Sequence, residues 1–111
     1  PFNSYVYPGA SLHSELEAMV AAGLTPLQAL KTSVVNGPVF FGLENRYGNV
    51  AIGKAADLIL LRENPLERIG NSRSISTVVK GTTVHDRKKL NGLLRSLNSK
   101  YRTGENQKEA Q

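Results

Sequence analysis

The chain of 111 residues has no cysteine and no tryptophan, one methionine and two histidines. Without cysteine it can hold neither a disulfide staple nor a thiolate metal site. The two histidines, His13 and His85, belong to neither a His-x-His nor a His-Glu-x-x-His arrangement. A hydrolytic metal centre needs several His, Asp or modified Lys ligands converging at about 2.0–2.2 Å with a position left for water, so a complete one is not expected here. No apolar run is long enough to span a bilayer, and no charged segment precedes an apolar run as a secretory leader requires. A phosphate loop of the Gly-x-x-x-x-Gly-Lys-Ser/Thr type is missing, as is a Gly-x-Ser-x-Gly nucleophile turn.

What remains is an ordinary composition, 40% hydrophobic and 21% charged, fitting one domain or part of one. The net charge of +5 is uneven: eight of the fourteen Lys and Arg lie from Lys80 onward, among them Arg87-Lys88-Lys89, Arg95, Lys100 and Arg102. Such a stretch can be a basic interaction module that binds an anionic partner through residues 87–102, or a solvated helix face. Only Tyr101 could stack on a base there, so neither nucleic acid nor membrane is an expected partner.

The first ten residues, with Pro1, Pro8 and Gly9, read as loop. Ser11 is placed to cap a helix with Leu12, Leu16, Met19 and Val20 on one face and Gly23 at its end. Glu15 and Glu17 are expected near the start of that helix, where negative charge complements its dipole. Thr25, Pro26 and Gln28 form a capping box with proline at the first helical position, opening a second helix whose buried stripe is predicted as Leu27, Leu30 and Val34. Asn36-Gly37-Pro38 is expected to stop it, with one more short turn closing at Gly42. Beyond Leu43 the period shortens. Asn49–Ile52 reads as a brief strand, and Ala56–Leu61 as a strand covered on both faces. Ser74–Lys80 and Thr82–His85 read as a hairpin turning at Gly81. Asp86 caps a third helix striped by Leu90, Leu93, Leu94 and Leu97, and residues 102–111 are predicted to be a disordered tail.

Three polar residues stand out. Asp57 interrupts an apolar run and must be bonded if buried; a structural task is expected, met by the Gly53-Lys54 turn or by Lys54. His13, in the first turn of its helix, either bonds the preceding loop or faces a polar ligand. His85 is expected on the surface.

Two segments carry a family resemblance. Pro8-Gly9-Ala10-Ser11-Leu12-His13-Ser14-Glu15-Leu16 is followed by Ala22-Gly23-Leu24-Thr25-Pro26-Leu27-Gln28-Ala29-Leu30, then by Asn36-Gly37-Pro38 and Phe41-Gly42-Leu43. Gly48, Gly53-Lys54, Ala56-Asp57-Leu58 and Val78-Val79 with Gly81 come next, in order. The series resembles the C-terminal end of the metal-dependent amidohydrolases, the imidazolonepropionase- and dipeptidase-like branch. The resemblance implies an α+β fragment: C-terminal helices of a (β/α)8 barrel, then strands of a small β-sandwich domain, then a terminal helix. The implied division is 1–43 for the last barrel loop and helices, 44–86 for the small β-domain, 87–101 for the terminal helix and 102–111 for the tail.

In that family a divalent metal, with zinc the expected ion, activates water against an amide, peptide or cyclic amide bond. Its ligands come from barrel strands, and none of them maps onto this chain. The resemblance therefore implies no catalytic residue and no cofactor here, and an inactive fragment of an active parent. Barrel active sites open at the loops following the strands. That makes Asn3, Tyr5, Tyr7 and His13 the candidates for touching a small amide or peptide substrate. Strands lacking their neighbours imply self-association. The compartment is not legible, and the cytoplasm is the default expectation.

Overall fold

A computed structural model of the chain describes residues 9–108, with side chains through residue 100. Its first half is helical: α1 (Ala10–Ala21), α2 (Pro26–Lys31), a π turn (Thr32–Asn36) and α3 (Gly37–Phe40). The second half holds β1 (Asp57–Leu61), a 3-10 turn (Ile69–Arg73), β2 (Ile75–Lys80), β3 (Thr83–Asp86) and the long α4 (Arg87–Lys108). The architecture is α+β, with one antiparallel sheet in the order β1-β2-β3.

Helix α1 starts one turn position earlier than its sequence suggests. Gly9, at φ 87°, is the cap, and no side chain bonds the first amides; Ser11 therefore sits inside the helix rather than at its cap. No acidic residue falls in the first turn, because Glu15 and Glu17 lie deeper in the helix. The end is as expected. Gly23 adopts φ 111°, and its N–H donates to the Val20 carbonyl while Leu24 N–H donates to that of Met19. This Schellman arrangement needs a left-handed residue, which glycine supplies without steric cost. The Thr25 capping box also forms: Gln28 N–H donates to Thr25 Oγ1 at 3.3 Å, and Thr25 N–H to Gln28 Oε1 at 2.8 Å.

The expected stop at Asn36-Gly37-Pro38 does not occur. The chain stays helical through Phe40 by widening into the π turn. Pro38 falls in the first turn of α3, where its missing N–H leaves no bond unmade. The hydroxyls of Thr32 and Ser33 donate back to the carbonyls of Ala29 and Leu30. A second Schellman end follows, with Gly42 at φ 67° and Leu43 N–H bonded to the Pro38 carbonyl at 2.8 Å.

The buried stripe of α2 is also shifted. Ala29 is fully buried, whereas Leu27 and Val34 are each 50% exposed. Leu16, Ala29 and Ile69 form the buried apolar cluster, bordered by Met19, Val20 and Leu30. Ile69 comes from the 3-10 turn, which docks on α1 and ties the helices to the sheet.

In the sheet, Asp57 pairs with Lys80 and Ile59 with Val78, and a bulge lies between Leu60 and Leu61. Val79 pairs with Val84 across the hairpin that turns at Gly81. Asn49–Ile52 is not a strand: the segment is irregular, and Val50 and Ile52 stand fully outward. Among the described residues it has no strand to pair with, and an isolated strand leaves its amides unbonded. Nor is Ala56–Leu61 covered on both faces. Strand β1 is an edge strand, with Ile59 60% and Leu60 48% exposed. Asp86 caps α4, accepting the Lys89 N–H at 2.8 Å. The helix continues to Lys108 rather than fading at residue 101, since Arg, Glu, Gln and Lys all favour helix. The remaining tail residues, 109–111, lie outside the described residues.

The fold is open. It exposes 9095 Å², against about 6000 Å² for a compact monomer of this mass. Its radius of gyration is 17.1 Å, where about 13 Å is usual for a compact chain of this length.

Candidate functional site

A cleft of about 370 Å³ lies between the helices and the edge strand. Leu12, His13 and Leu16 of α1 form one wall, and Leu30, Ser33 and Val34 continue it. The opposite wall is Asp57 to Ile59 and Leu61 of β1, with the Tyr47–Val50 loop closing one end and Ser72 at the base. Helical periodicity aims His13 and Leu16 to the same side of α1, and the 3-10 turn brings Ser72 to meet them.

His13 Nδ1 and Ser72 Oγ are 3.0 Å apart, with the direction of the bond set by the imidazole tautomer. Ser72 is 6% exposed, so this bond satisfies a buried hydroxyl. Beside it Asn71 is buried as well, its amide donating to the Asn64 carbonyl at 2.9 Å. On the rim, Arg73 Nε and Nη2 grip the two oxygens of Glu17 at 3.1 Å each, and Nη2 also reaches Ser14 Oγ. The hydrogen bond from Arg73 holds the Glu17 carboxyl below its ordinary range, and the same bond raises Arg73.

Asp57 has a structural task, through partners other than those its neighbours suggest. Its carboxylate pairs with Lys80 Nζ at 3.1 Å and accepts the Gly81 N–H at 3.3 Å. Strand pairing sets this, because Lys80 lies directly opposite Asp57. Lys54 turns away instead, donating to the carbonyls of Glu44 and Tyr47. With Asp57 so engaged, His13, Ser72 and Asp57 line one cleft without forming a relay.

His85 is not a free surface residue. It is half-buried opposite Val78, and its Nδ1 is shut off from solvent without a partner among the described residues. Of the residues expected to touch substrate, only His13 falls on the cleft; Asn3, Tyr5 and Tyr7 lie outside the described residues. Ser72 and the Glu17–Arg73 pair carried no signal in the sequence, because each joins positions more than fifty residues apart.

Among the described residues no three of His, Cys, Asp and Glu gather where they could hold a metal ion. The side chains of this cleft do not fit a hydrolytic metal, and no step through one is derived from them. What the cleft offers is an apolar enclosure with one imidazole edge.

Comparison with known proteins gives the context. The model of the amidohydrolase family matches residues 7–89. An ochratoxinase of Aspergillus niger is 41% identical over 64 residues, covering 56% of this chain but 13% of the relative. An adenine deaminase of Ruegeria pomeroyi is 42% identical over 53 residues, which are 45% of this chain and 9% of that protein. Among solved structures, a Xaa-Pro dipeptidase with methionine bound in its active site superposes with a TM-score of 0.63 at 26% identity, over 67% of this chain and 18% of that one. A molinate hydrolase superposes with a TM-score of 0.66 at 29% identity, over 68% and 16% respectively. The chain thus spans less than a fifth of the length of each.

Proposed function

The chain belongs to the amidohydrolase family, and on that premise we propose that it is the C-terminal part of a metal-dependent hydrolase of C–N bonds, inactive by itself. The family match over residues 7–89 carries this reading, together with structural neighbours of which the chain covers only 18% and 16%. Deaminases and a dipeptidase among its relatives cleave C–N bonds, and an amide, peptide or cyclic amide is the substrate class proposed for the parent. Residues 1–43 are assigned to the rim of a (β/α)8 barrel, 44–86 to a small β-domain, and 87–101 to a helix that follows it. A divalent metal, zinc being the expected ion, is assigned to the rest of the barrel.

The openness of the fold supports the assignment. Three residues make up the buried apolar cluster, while Val39, Phe40, Phe41, Val50 and Ile52 are all more than half exposed. Strand β1 leaves one edge open. Gly81 N–H bonds the Ala56 carbonyl, so alternation along the antiparallel ladder turns the amides of Asp57, Ile59 and Leu61 outward. Such an edge invites another strand, supplied by the parent or, in isolation, by a second copy of this chain. His13 is proposed to border the substrate route.

The test is to extend the chain upstream in its reading frame and assay both forms on a panel of dipeptides, N-acyl amino acids and cyclic amides. The extended protein should carry a His-x-His pair and an aspartate just before Pro1, and should lose its hydrolysis to a chelator. The present chain should show none. Hydrolysis by the 111 residues alone, or an upstream sequence without those ligands, would overturn the assignment.

A further inference from the structure

The family match ends at residue 89, so nearly all of α4 lies beyond what ties the chain to its relatives. On this helix Leu90, Leu93, Leu94 and Leu97 share an arc of about 100°. Leu93, Leu94 and Leu97 are 50%, 55% and 52% exposed, as for side chains that touch little beyond their own helix. The helix meets β2 and β3, held there by Arg87, which donates to the Ile75 carbonyl at 2.9 Å and to Asn91. No acidic residue occurs between Asp86 and Glu105, whereas Arg87, Lys88, Lys89, Arg95, Lys100 and Arg102 all do. By helical geometry Lys89 and Lys100 border the leucine stripe on one side and Arg87 on the other. Gly92, Ser96 and Ser99 occupy the neutral far face.

The occupant of this stripe must be anionic, and its shape is restricted too. From Leu90 to Leu97 the stripe runs about 10 Å, two helical turns. A helix partner wants an apolar seam sustained over roughly three to four heptads, which the stripe does not offer. A second copy of α4 would also set like charges against like. A bilayer surface imposes no such length: it accepts a short, wide apolar face, and basic side chains beside that face reach outward to the headgroups.

We propose that α4 is an interfacial helix that docks the protein on an anionic lipid surface. The four leucines enter the headgroup boundary, Lys89 and Lys100 meet the lipid phosphates and carboxylates, and Lys88 and Arg95 add attraction within a Debye length, about 10 Å at 0.1 M salt. Charge counts alone gave no reason to expect a membrane. The placement of the charges beside an uncovered stripe does.

The test uses the 111-residue chain with sedimenting vesicles of phosphatidylcholine, with and without phosphatidylserine. Binding is expected to the phosphatidylserine vesicles, falling as salt rises, with little to pure phosphatidylcholine. Lys89→Gln with Lys100→Gln should weaken it roughly 25-fold, about fivefold per charge. Leu93→Ser with Leu97→Ser should weaken it by at least about tenfold, and circular dichroism of both double variants checks that the helix persists. Binding that ignores the leucine pair would be charge attraction alone and would overturn the proposal. So would equal uptake by both vesicles, capture of an acidic helical peptide in place of either vesicle, or a dimer in solution that the leucine variant breaks.

Discussion

Replacing Leu16 by alanine removes three carbons from the centre of the buried cluster. Leu16 is 3% exposed, against Ala29 at 0% and Ile69 at 7%. Alanine at a buried leucine costs about 2–5 kcal/mol, the range reflecting how far the surroundings collapse into the gap. Here Met19, Val20 and Leu30 border the cluster and are only partly buried, so they can move inward. The lower part of the range, about 2–3 kcal/mol, is expected. A domain of this length has about 5–15 kcal/mol in total, and a three-residue cluster places this one near the bottom. Urea unfolding followed by circular dichroism reads the change. With a slope of about 1–1.5 kcal/mol/M, the midpoint should fall by about 2 M. Leu60→Ala is the comparison, because Leu60 is 48% exposed on the edge strand and its loss should cost less than about 1 kcal/mol. Equal midpoints for the two variants, or a Leu16→Ala shift under about 1 kcal/mol, would show that the cluster is not what holds α1, α2 and the 3-10 turn together.

Thr25→Ala should cost about 1 kcal/mol in the same assay, since it strips the cap from α2; an unchanged midpoint would mean that Pro26 alone sets the helix start. Glu17, held below its ordinary value of 4.5 by Arg73, contributes stability that is present above that pH and is lost as pH falls through the lowered value. Wild type and Glu17→Gln should therefore differ at neutral pH and converge in acid, and a gap that persists in acid would assign the difference to something other than the ion pair.

The capping box at Thr25, the glycine ends at Gly23 and Gly42, the Gly81 hairpin and the Asp86 cap were legible in the sequence. Each is a bond between residues within a few positions, and local chemistry decides it. The family was legible for a related reason, because its turn and cap residues recur in order along the chain. What tertiary structure decided is everything that joins distant positions. Ala29 rather than Leu27 or Val34 is the buried residue of its helix because Leu16 and Ile69 lie against that side. Asp57 holds Lys80 rather than Lys54 because strand register sets them face to face. Ser72 meets His13, and Arg73 meets Glu17, because the 3-10 turn docks on α1. Hydrophobic runs report how apolar a segment is, not what covers it. Ala56–Leu61 reads as a buried strand and stands at an open edge, because burial depends on neighbours that a local pattern does not contain.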